Sequence, residues 1–262
     1  MYNYQEYSPD TRLTPWVKNY WLATDFVHSK VLPKVFPDGC IDIIFDFDRT
    51  KGTAHVDIFG TTTTFIEFDA AKHVQMFGIR FKPAGFTAFS RVSPIEFTDR
   101  REDLSLVETL FDKSFYETLP EKQSAAELIA YTNSYMINLL PHLYHSDKRV
   151  ISAVDAINLA KGQLNVTSLA SDICLCQRHF ERKFKTVIGV SPKMYSKIVK
   201  FKHAMHNIVT YPNKDLLTIA VECGYYDRTH LMKDVKSLSG DIPTDVRQKK
   251  SIFYAYQNEY MA

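Results

Sequence analysis

The C-terminal half of the chain carries one short motif twice, and this repeat limits the folds that such a chain can adopt. The stretch FKTVIGVSP (184–192) recurs as VKSLSGDIP (235–243) at an offset of 51 residues. Upstream, the dipeptide Leu-Ala at 169–170 recurs as Ile-Ala at 219–220 at an offset of 50, so the second copy has one extra residue in its turn. A solenoid needs about three repeats for stability. Two copies therefore predict two similar helical subdomains.

The second copy has the start and stop signals of two short helices. Asp215 and Asp227 are suited to N-cap positions, and Gly224 between them can end the first helix because glycine readily takes a positive φ. Apolar residues follow with helical spacing: Leu216, Ile219, Ala220 and Cys223 in the first helix, and Leu231, Val235 and Leu238 in the second. Two short helices joined by a tight turn that contains glycine form a helix-turn-helix. The first copy repeats this design with inward residues Leu169, Ala170, Ile173, Phe180 and Phe184.

The outward face of the second helix in each copy is polar, where a partner helix would require apolar residues. These residues are Gln177, Arg178, Glu181 and Arg182 in the first copy and Arg228, Thr229, His230 and Lys233 in the second. In a helix-turn-helix this helix enters the major groove of DNA, where Arg and Lys donate to guanine and Glu accepts from cytosine. Either face alone is more typical of a solvated helix. The same design in both copies favours DNA binding.

The charge distribution agrees with a polyanionic partner. Residues 1–145 carry 14 basic and 19 acidic side chains, a net charge of −5, whereas residues 146–262 carry 18 basic and 11 acidic side chains, a net charge of +7. Clustered Lys and Arg concentrate near phosphates through a long-range field, although an ordinary solvated surface explains the asymmetry equally well. Three lysines are predicted to contact phosphates, or else to be simple surface charge: Lys183, Lys185 and Lys236.

The N-terminal part, over residues 17 to about 89, consists of short β-rich runs separated by turn residues. In the run CIDIIFDFD (40–48), apolar residues alternate with aspartates, which is the pattern of a strand with one buried face. The runs predict a β-sandwich or a small barrel. The other face of this strand carries Asp42, Asp46 and Asp48. We expect that face to be solvated rather than to hold a cation. Arg80 either points outward or reaches an anionic ligand inside the domain.

Helical patterns follow the β-rich part and lead to a domain boundary. One pattern runs from Leu104 to Phe111, and a longer one runs from about Ser124 to Leu143. The apolar stripe of the longer one packs on the β-domain or pairs with another subunit. Because the polar segment YHSDKR (144–149) precedes a new helical pattern, we place the boundary there. The predicted architecture is α+β, with a β-rich domain over residues 1–145 and an all-helical domain over residues 146–262.

Composition places the chain in a broad class. The 262 residues contain no run of eighteen apolar residues, and the first twenty lack the features of a secretory signal, so we expect a cytoplasmic protein with no membrane partner. The cysteines are too few and too irregularly placed for a disulfide framework: Cys40, Cys174, Cys176 and Cys223. The spacing of Cys174 and Cys176 favours turn positions over a metal site. We expect no cofactor, no metal ligand and no catalytic residue.

The C-terminal domain resembles the AraC/XylS family of bacterial transcription regulators over about residues 150–247. The resemblance is carried by Ile219, Ala220, Gly224, Tyr225, Asp227, Leu231, Lys236, Gly240, Pro243 and Arg247 in the second copy, and by Leu169, Ala170, Phe180, Arg182, Phe184, Lys185, Gly189 and Pro192 in the first. Four residues depart from the family's pattern: Cys174 replaces a turn glycine, Cys176 an N-cap serine, Val235 an aromatic residue and Lys200 an arginine. The N-terminal domain is similar, more weakly, to the β-rich regulatory portion of some members.

The resemblance implies a function and a set of DNA contacts. The function is that of a sequence-specific DNA-binding transcription regulator, not an enzyme. Base-facing residues are implied at Arg178, Glu181, Arg182, Arg228, Thr229, His230, Met232 and Lys233. The N-terminal domain would bind a small-molecule effector or mediate dimerisation. Double-stranded DNA is the expected partner, and a small-molecule effector, RNA polymerase and a second copy of the chain are further candidates.

Two other classes of protein remain open at this point. The first is a ligand-binding adaptor with a degenerate helical domain, which the departures at Cys174 and Cys176 favour. The second is a DNA-repair type of enzyme with a nucleic-acid-binding tail. Such an enzyme requires a reactive cysteine or a metal cluster in the N-terminal half, where Cys40 is the one cysteine.

Overall fold

The computed structural model describes residues 3–24, 34–48, 50–67, 75–104, 110–145 and 147–248. In them a β-rich domain precedes a helical one, which confirms the predicted fold class. The strands are β1 (Asn3–Tyr7), β2 (Val17–Thr24), β3 (Lys34–Val35), β4 (Ile41–Asp48), β5 (Thr53–Phe59), β6 (Ile66–Glu67), β7 (Gln75–Phe81) and β8 (Arg101–Asp103). The α-helices are α1 (Lys113–Thr118), α2 (Ala125–Leu139), α3 (Lys148–Leu159), α4 (Val166–Asp172), α5 (Gln177–Ile188), α6 (Pro192–Thr210), α7 (Leu216–Glu222), α8 (Arg228–Ser239) and α9 (Pro243–Gln248).

The β-domain is built on one open antiparallel sheet. Its six strands follow the order β1-β2-β7-β4-β5-β8, and β3 pairs with β6 in a separate two-stranded ribbon. The central strands β7 and β4 are buried along almost their whole length, although β4 carries three aspartates and β7 carries Arg80. The edge strands β1 and β8 are more polar and less buried.

One face of the sheet packs on the helices that follow it in sequence. Ile43 pairs with Ile79 of β7 and Ile58 of β5, and Phe45 pairs with Phe77 on the same face. Aromatic rings from the segment that contains α1 and α2 complete this core: Phe111, Phe115, Tyr131 and Tyr135. The β-domain therefore has an aromatic core between its sheet and its own helices.

The opposite face of the sheet is buried as well, at least where β4 begins. The alternation in β4 predicted a solvated face, and for Asp42 this prediction is wrong because that residue is only 5% exposed. Ile44, on the same face, is also buried and belongs to a small second cluster with Trp21, Ala23 and Met76. Asp46 and Asp48 are half-buried. The sequence period identifies the two faces correctly, but it does not report that both are covered.

The helices after the sheet differ in how well the sequence predicts them. The pattern from Leu104 to Phe111 falls largely on residues 105–109, which lie outside the described residues. The longer pattern is confirmed by α2, whose N-cap Ser124 accepts a hydrogen bond from the backbone of Glu127. Its stripe packs on the β-domain core through Leu128 and Met136. No helix in the described part of the chain combines the length and apolar composition needed to cross a bilayer.

The helical region has two apolar cores, one for each copy of the repeat. The first joins α3, α4 and α5 through residues such as Ile157, Phe180 and Phe184, and the second joins α7, α8 and α9 through residues such as Ile219 and Leu231. The 19-residue helix α6 contributes to both cores, with Tyr195 and Ile198 in the first and Phe201 and Ile208 in the second. This helix links the two subdomains.

Candidate nucleic-acid interface

Both predicted helix-turn-helix units are present. The first consists of α4 and α5, and the second consists of α7 and α8, so that α5 and α8 are the candidate recognition helices. The first helix of each unit begins at a side-chain cap. Asn165 accepts hydrogen bonds from the backbone of Thr167 and Ser168, and Asp215 does the same for Leu217 and Thr218. Each cap satisfies backbone N–H groups that have no partner inside the helix.

The turns of the two units share a backbone conformation although their residues differ. Cys174 has a φ of 55° and Gly224, at the equivalent position, has a φ of 72°. A residue with a Cβ pays a steric cost in this left-handed region that glycine does not pay. The N-caps differ too, since Cys176 makes no capping bond, whereas Asp227 accepts from the backbone of His230 at 2.7 Å. The first turn keeps the conformation of the second at a cost in stability.

The predicted base-facing residues lie on the exposed faces of α5 and α8. Eight of the nine are exposed: Gln177, Arg178, Glu181, Arg182, Arg228, Thr229, His230 and Lys233. Met232 is half-buried. The cations among them, Arg178, Arg182, Arg228 and Lys233, form no salt bridge with another residue in the described ranges. Their charges remain available to an external anion or acceptor.

Two of these polar residues are held by neighbours in the protein. Gln177 donates to Glu181 at 3.0 Å along the face of α5. The ring of His230 packs edge-on against Tyr225 with centroids 5.1 Å apart, and its Nδ1 lies 3.5 Å from the backbone nitrogen of Tyr226. The spacing predicts that Asp234 points away from this face; its carboxylate pairs with Lys197 at 3.0 Å, but it also lies 3.9 Å from Nε2 of His230. His230 therefore has a fixed ring orientation.

The three predicted phosphate contacts have different surroundings. Lys185 is exposed, Lys236 donates to the carbonyl of Gly240 at the end of its own helix, and Lys183 pairs with Asp147 at 2.7 Å. Hydrogen bonds from Arg149 and from Lys183 hold the pKa of Asp147 well below its usual range. Phosphate contact by these lysines stays a prediction. Of the three, Lys185 is exposed and its side chain makes no hydrogen bond or ion pair in the described ranges.

The C-terminal end of α5 is held by the β-domain. Three hydroxyl groups donate to carbonyl oxygens there: Thr61 to Ile188 at 2.7 Å, Thr98 to Gly189 at 2.8 Å and Ser93 to Thr186 at 2.8 Å. The last carbonyls of an α-helix have no partner inside the helix. The β-domain supplies donors at this end, and Thr61 is fully buried.

The C-terminal end of α8 is held in the same way. Thr64 donates to the carbonyl of Ser237 at 2.9 Å, and Lys34 pairs with Asp241 at 2.8 Å. The ring of Phe65 covers Gly240, which ends the helix with a φ of 75°, and a Cβ on that glycine would lie 2.5 Å from the ring. Sequence reasoning missed these contacts, because their acceptors are mostly backbone carbonyls that carry no sequence signal. One short segment, residues 61–65, therefore touches both recognition helices.

A buried polar row crosses the sheet of the β-domain. Asn19, Arg80 and Asp42 lie in register on β2, β7 and β4. Arg80 faces inward, but its Nε donates to Asp42 at 3.0 Å, and the indole of Trp21 donates to the same carboxylate at 2.7 Å. Burial raises the pKa of Asp42, and Arg80 opposes that effect. The buried Oδ1 of Asn19 has no hydrogen-bond partner among the described residues.

The sequence matches two family models. Residues 169–249 match a model described as a helix-turn-helix domain. The C-terminal region is an AraC-type helix-turn-helix domain. Residues 5–103, which precede this AraC-type domain, match a domain of unknown function, DUF6597. No curated protein matches the chain.

Solved structures of ToxT from Vibrio cholerae are similar in overall fold to this chain, over both of its domains. One at 1.65 Å resolution is 7% identical, with a TM-score of 0.42, and covers 95% of this chain and 97% of that chain. ToxT from strain O395 is 10% identical, with a TM-score of 0.39 and coverages of 95% and 96%. Wild-type ToxT with a bound unsaturated fatty acid, from strain SCE256, is 10% identical, with a TM-score of 0.39 and coverages of 94% and 93%. Similarities this distant do not transfer a ligand or a function.

Proposed function

We propose that this protein is a sequence-specific DNA-binding transcription regulator. The observation that carries the proposal is the pair of recognition helices in an AraC-type domain, each of which exposes two cations without a carboxylate partner in the described ranges. Arg donates in bidentate fashion to guanine, and Lys donates to the same acceptors, so these side chains can read bases. The linking helix α6 holds the two recognition helices in a fixed relation, which suits two successive major-groove segments of one DNA face.

The contacts divide into base-reading and phosphate-binding groups. Arg178 and Arg182 of α5, and Arg228 and Lys233 of α8, read bases together with their polar neighbours, of which Glu181 accepts from cytosine. Phosphate contacts orient the protein without specifying a sequence, and Lys185 is the best placed of the predicted ones.

The β-domain regulates the helical domain in this proposal. The division lies at residues 1–145 and 146–262, and the β-domain senses a small molecule or mediates dimerisation. The support is its contact with the C-terminal ends of both recognition helices through residues 61–65, together with the buried oxygen of Asn19, which lies beside Arg80 and has no partner in the described part of the chain. A shift in the β-domain would reach both helices. RNA polymerase and a second copy of the chain are the further partners that a regulator of this kind would meet in the cytoplasm.

An enzymatic role is less well supported than regulation. The DNA-repair alternative needs a reactive cysteine or a metal cluster in the N-terminal half, and the one cysteine there, Cys40, is 4% exposed. Burial and the nearby carboxylate of Asp38 raise the pKa of Cys40 to about 12. Because the thiolate is the nucleophile, a thiol with such a pKa is poorly reactive at neutral pH.

Selection of bound duplexes from a random DNA pool, at salt near physiological, tests the proposal. The intact protein should enrich a motif with two boxes about one helical turn, roughly 34 Å, apart. The double variant Arg182→Ala/Lys233→Ala should lose this enrichment, since each removes one base-reading cation from one helix. The matched control is Arg12→Ala/Lys51→Ala, which removes the same charge from exposed positions of the β-domain.

The two possible outcomes have different meanings. Enrichment by the wild type and the control, but not by the double variant, supports readout by both helices. Recovery of DNA without any enriched sequence would mean phosphate contact alone and would contradict sequence-specific regulation.

A further inference from the structure

The two helix-turn-helix units differ by one inserted residue, and the structure identifies it as Tyr226. In the first turn the backbone nitrogen of Leu175 donates to Ala170 at 3.0 Å, and in the second the nitrogen of Tyr225 donates to Ala220 at 2.8 Å. Leu175 and Tyr225 are therefore equivalent. The next residue in the first unit is already the N-cap of α5, whereas in the second unit Tyr226 stands between this position and the N-cap of α8.

The side chain of Tyr226 is unusual for a residue that the turn does not require. It is 90% exposed, while Tyr225 beside it is 4% exposed and packs in the core of the subdomain. Its hydroxyl makes no hydrogen bond with any residue in the described ranges. A turn at this point could be closed by any small polar residue. The fold therefore gives no reason for a large aromatic side chain here.

The backbone of Tyr226 is nevertheless well fixed. Buried Tyr225 anchors it on one side, and Asp227 follows it as the N-cap of α8. Its own N–H lies 3.5 Å from Nδ1 of His230. The phenol ring therefore extends into solvent from a rigid position, one residue before the N-cap of the recognition helix.

We infer that Tyr226 is a further DNA contact whose hydroxyl donates a hydrogen bond to a phosphate beside the groove that α8 enters. This inference rests on the proposed function. The N-terminal residues of a recognition helix contact base edges, so a side chain that precedes the helix lies near the edge of the groove, where the phosphates run. Tyrosine is one of the side chains that bind DNA phosphates. The first unit, without the inserted residue, lacks this contact.

Binding of the selected duplex should be measured for the full chain and for Tyr226→Phe and Tyr226→Ala, over a range of salt concentrations. Loss of a hydrogen bond to a charged phosphate should weaken binding about tenfold in both variants. The loss should be similar for specific and nonspecific DNA, because a phosphate contact carries no sequence information. The phenol is neutral, so the slope of affinity against salt should stay that of the wild type, whereas Lys185→Ala should lower the slope by about 0.9.

Tyr211→Phe is the matched control, since Tyr211 is half-exposed at the end of α6, outside both recognition helices, and should bind DNA like the wild type. Wild-type affinity of Tyr226→Phe would overturn the phosphate contact, whatever Tyr226→Ala does. Specific binding by the wild type keeps the proposed function intact in that case. A wild type that selects no sequence would refute the proposed function and this inference with it.

Discussion

The fully buried hydrogen bond between Thr61 and the end of α5 allows a quantitative test of how the β-domain holds the recognition helix. The hydroxyl donates to the carbonyl of Ile188 at 2.7 Å, and Thr61 has no exposed surface. The substitution Thr61→Val keeps the shape of the side chain and removes the donor. A methyl group then faces the carbonyl oxygen, in a place where water cannot easily replace the lost bond.

The expected cost follows from burial. Leaving a buried polar group without its partner costs about 1–3 kcal/mol, so the free energy of unfolding should fall by that amount. Thr64 gives a matched control, because its hydroxyl makes the equivalent bond to Ser237 at the end of α8 but the residue is exposed. Water can replace that donor, and Thr64→Val should cost less than about 0.5 kcal/mol.

Urea unfolding followed by far-ultraviolet circular dichroism measures both effects, with the slope against urea compared to detect any change in cooperativity. Thr61→Val should lower the midpoint at an unchanged slope. Equal and small effects of Thr61→Val and Thr64→Val would refute the reasoning, because burial would then make no difference to the contact.

Three further substitutions test other features by urea unfolding. Cys174→Gly should raise the free energy of unfolding by about 1 kcal/mol, because glycine relieves the left-handed backbone at the first turn; a decrease would contradict this. Asp42→Asn should lower it by about 3–5 kcal/mol by leaving a buried guanidinium without its counter-charge; a loss below about 1 kcal/mol would mean that the pair is not needed. Asp147→Asn should cost about 1 kcal/mol at pH 7 through the lost ion pairs with Arg149 and Lys183, because asparagine still serves as an N-cap. Because Arg149 and Lys183 lower the pKa of Asp147, its stabilisation is present above the unfolded-state value of about 3.9 and is lost as pH falls through the folded-state value. The difference from the wild type should thus shrink at acid pH, and a constant difference would argue against the ionised carboxylate.

Local signals in the sequence predicted the helical half well. Asp215 and Asp227 cap the helices assigned to them, and Gly224 takes the positive φ expected of it. Each of these roles depends on residues within one or two helical turns, and a single sequence carries that information. The inward and outward faces of both recognition helices followed from the same local periodicity.

The β-domain was predicted less completely, because its structure depends on residues far apart in the chain. Asp42 belongs with Arg80, 38 residues away, and nothing near either one indicates the pair. The edge strands β1 and β8 lie outside the predicted runs, since their alternation is weak and their burial slight. The side chains that donate to the ends of the recognition helices could not be recognised in the sequence, because a threonine hydroxyl can donate to any carbonyl oxygen that the fold brings near it.

Both recognition helices are attached to the same parts of the protein, and this limits the spacing between the two DNA boxes that the protein can bind. Each base pair inserted between two binding boxes moves the second box by about 3.4 Å and turns it by about 35° around the duplex axis. A chain with a flexible joint could follow that screw motion, but α5 and α8 share the linking helix α6 and are both held by residues 61–65. The separation between the two recognition helices would stay fixed, and the target sites of the protein would share one spacer length.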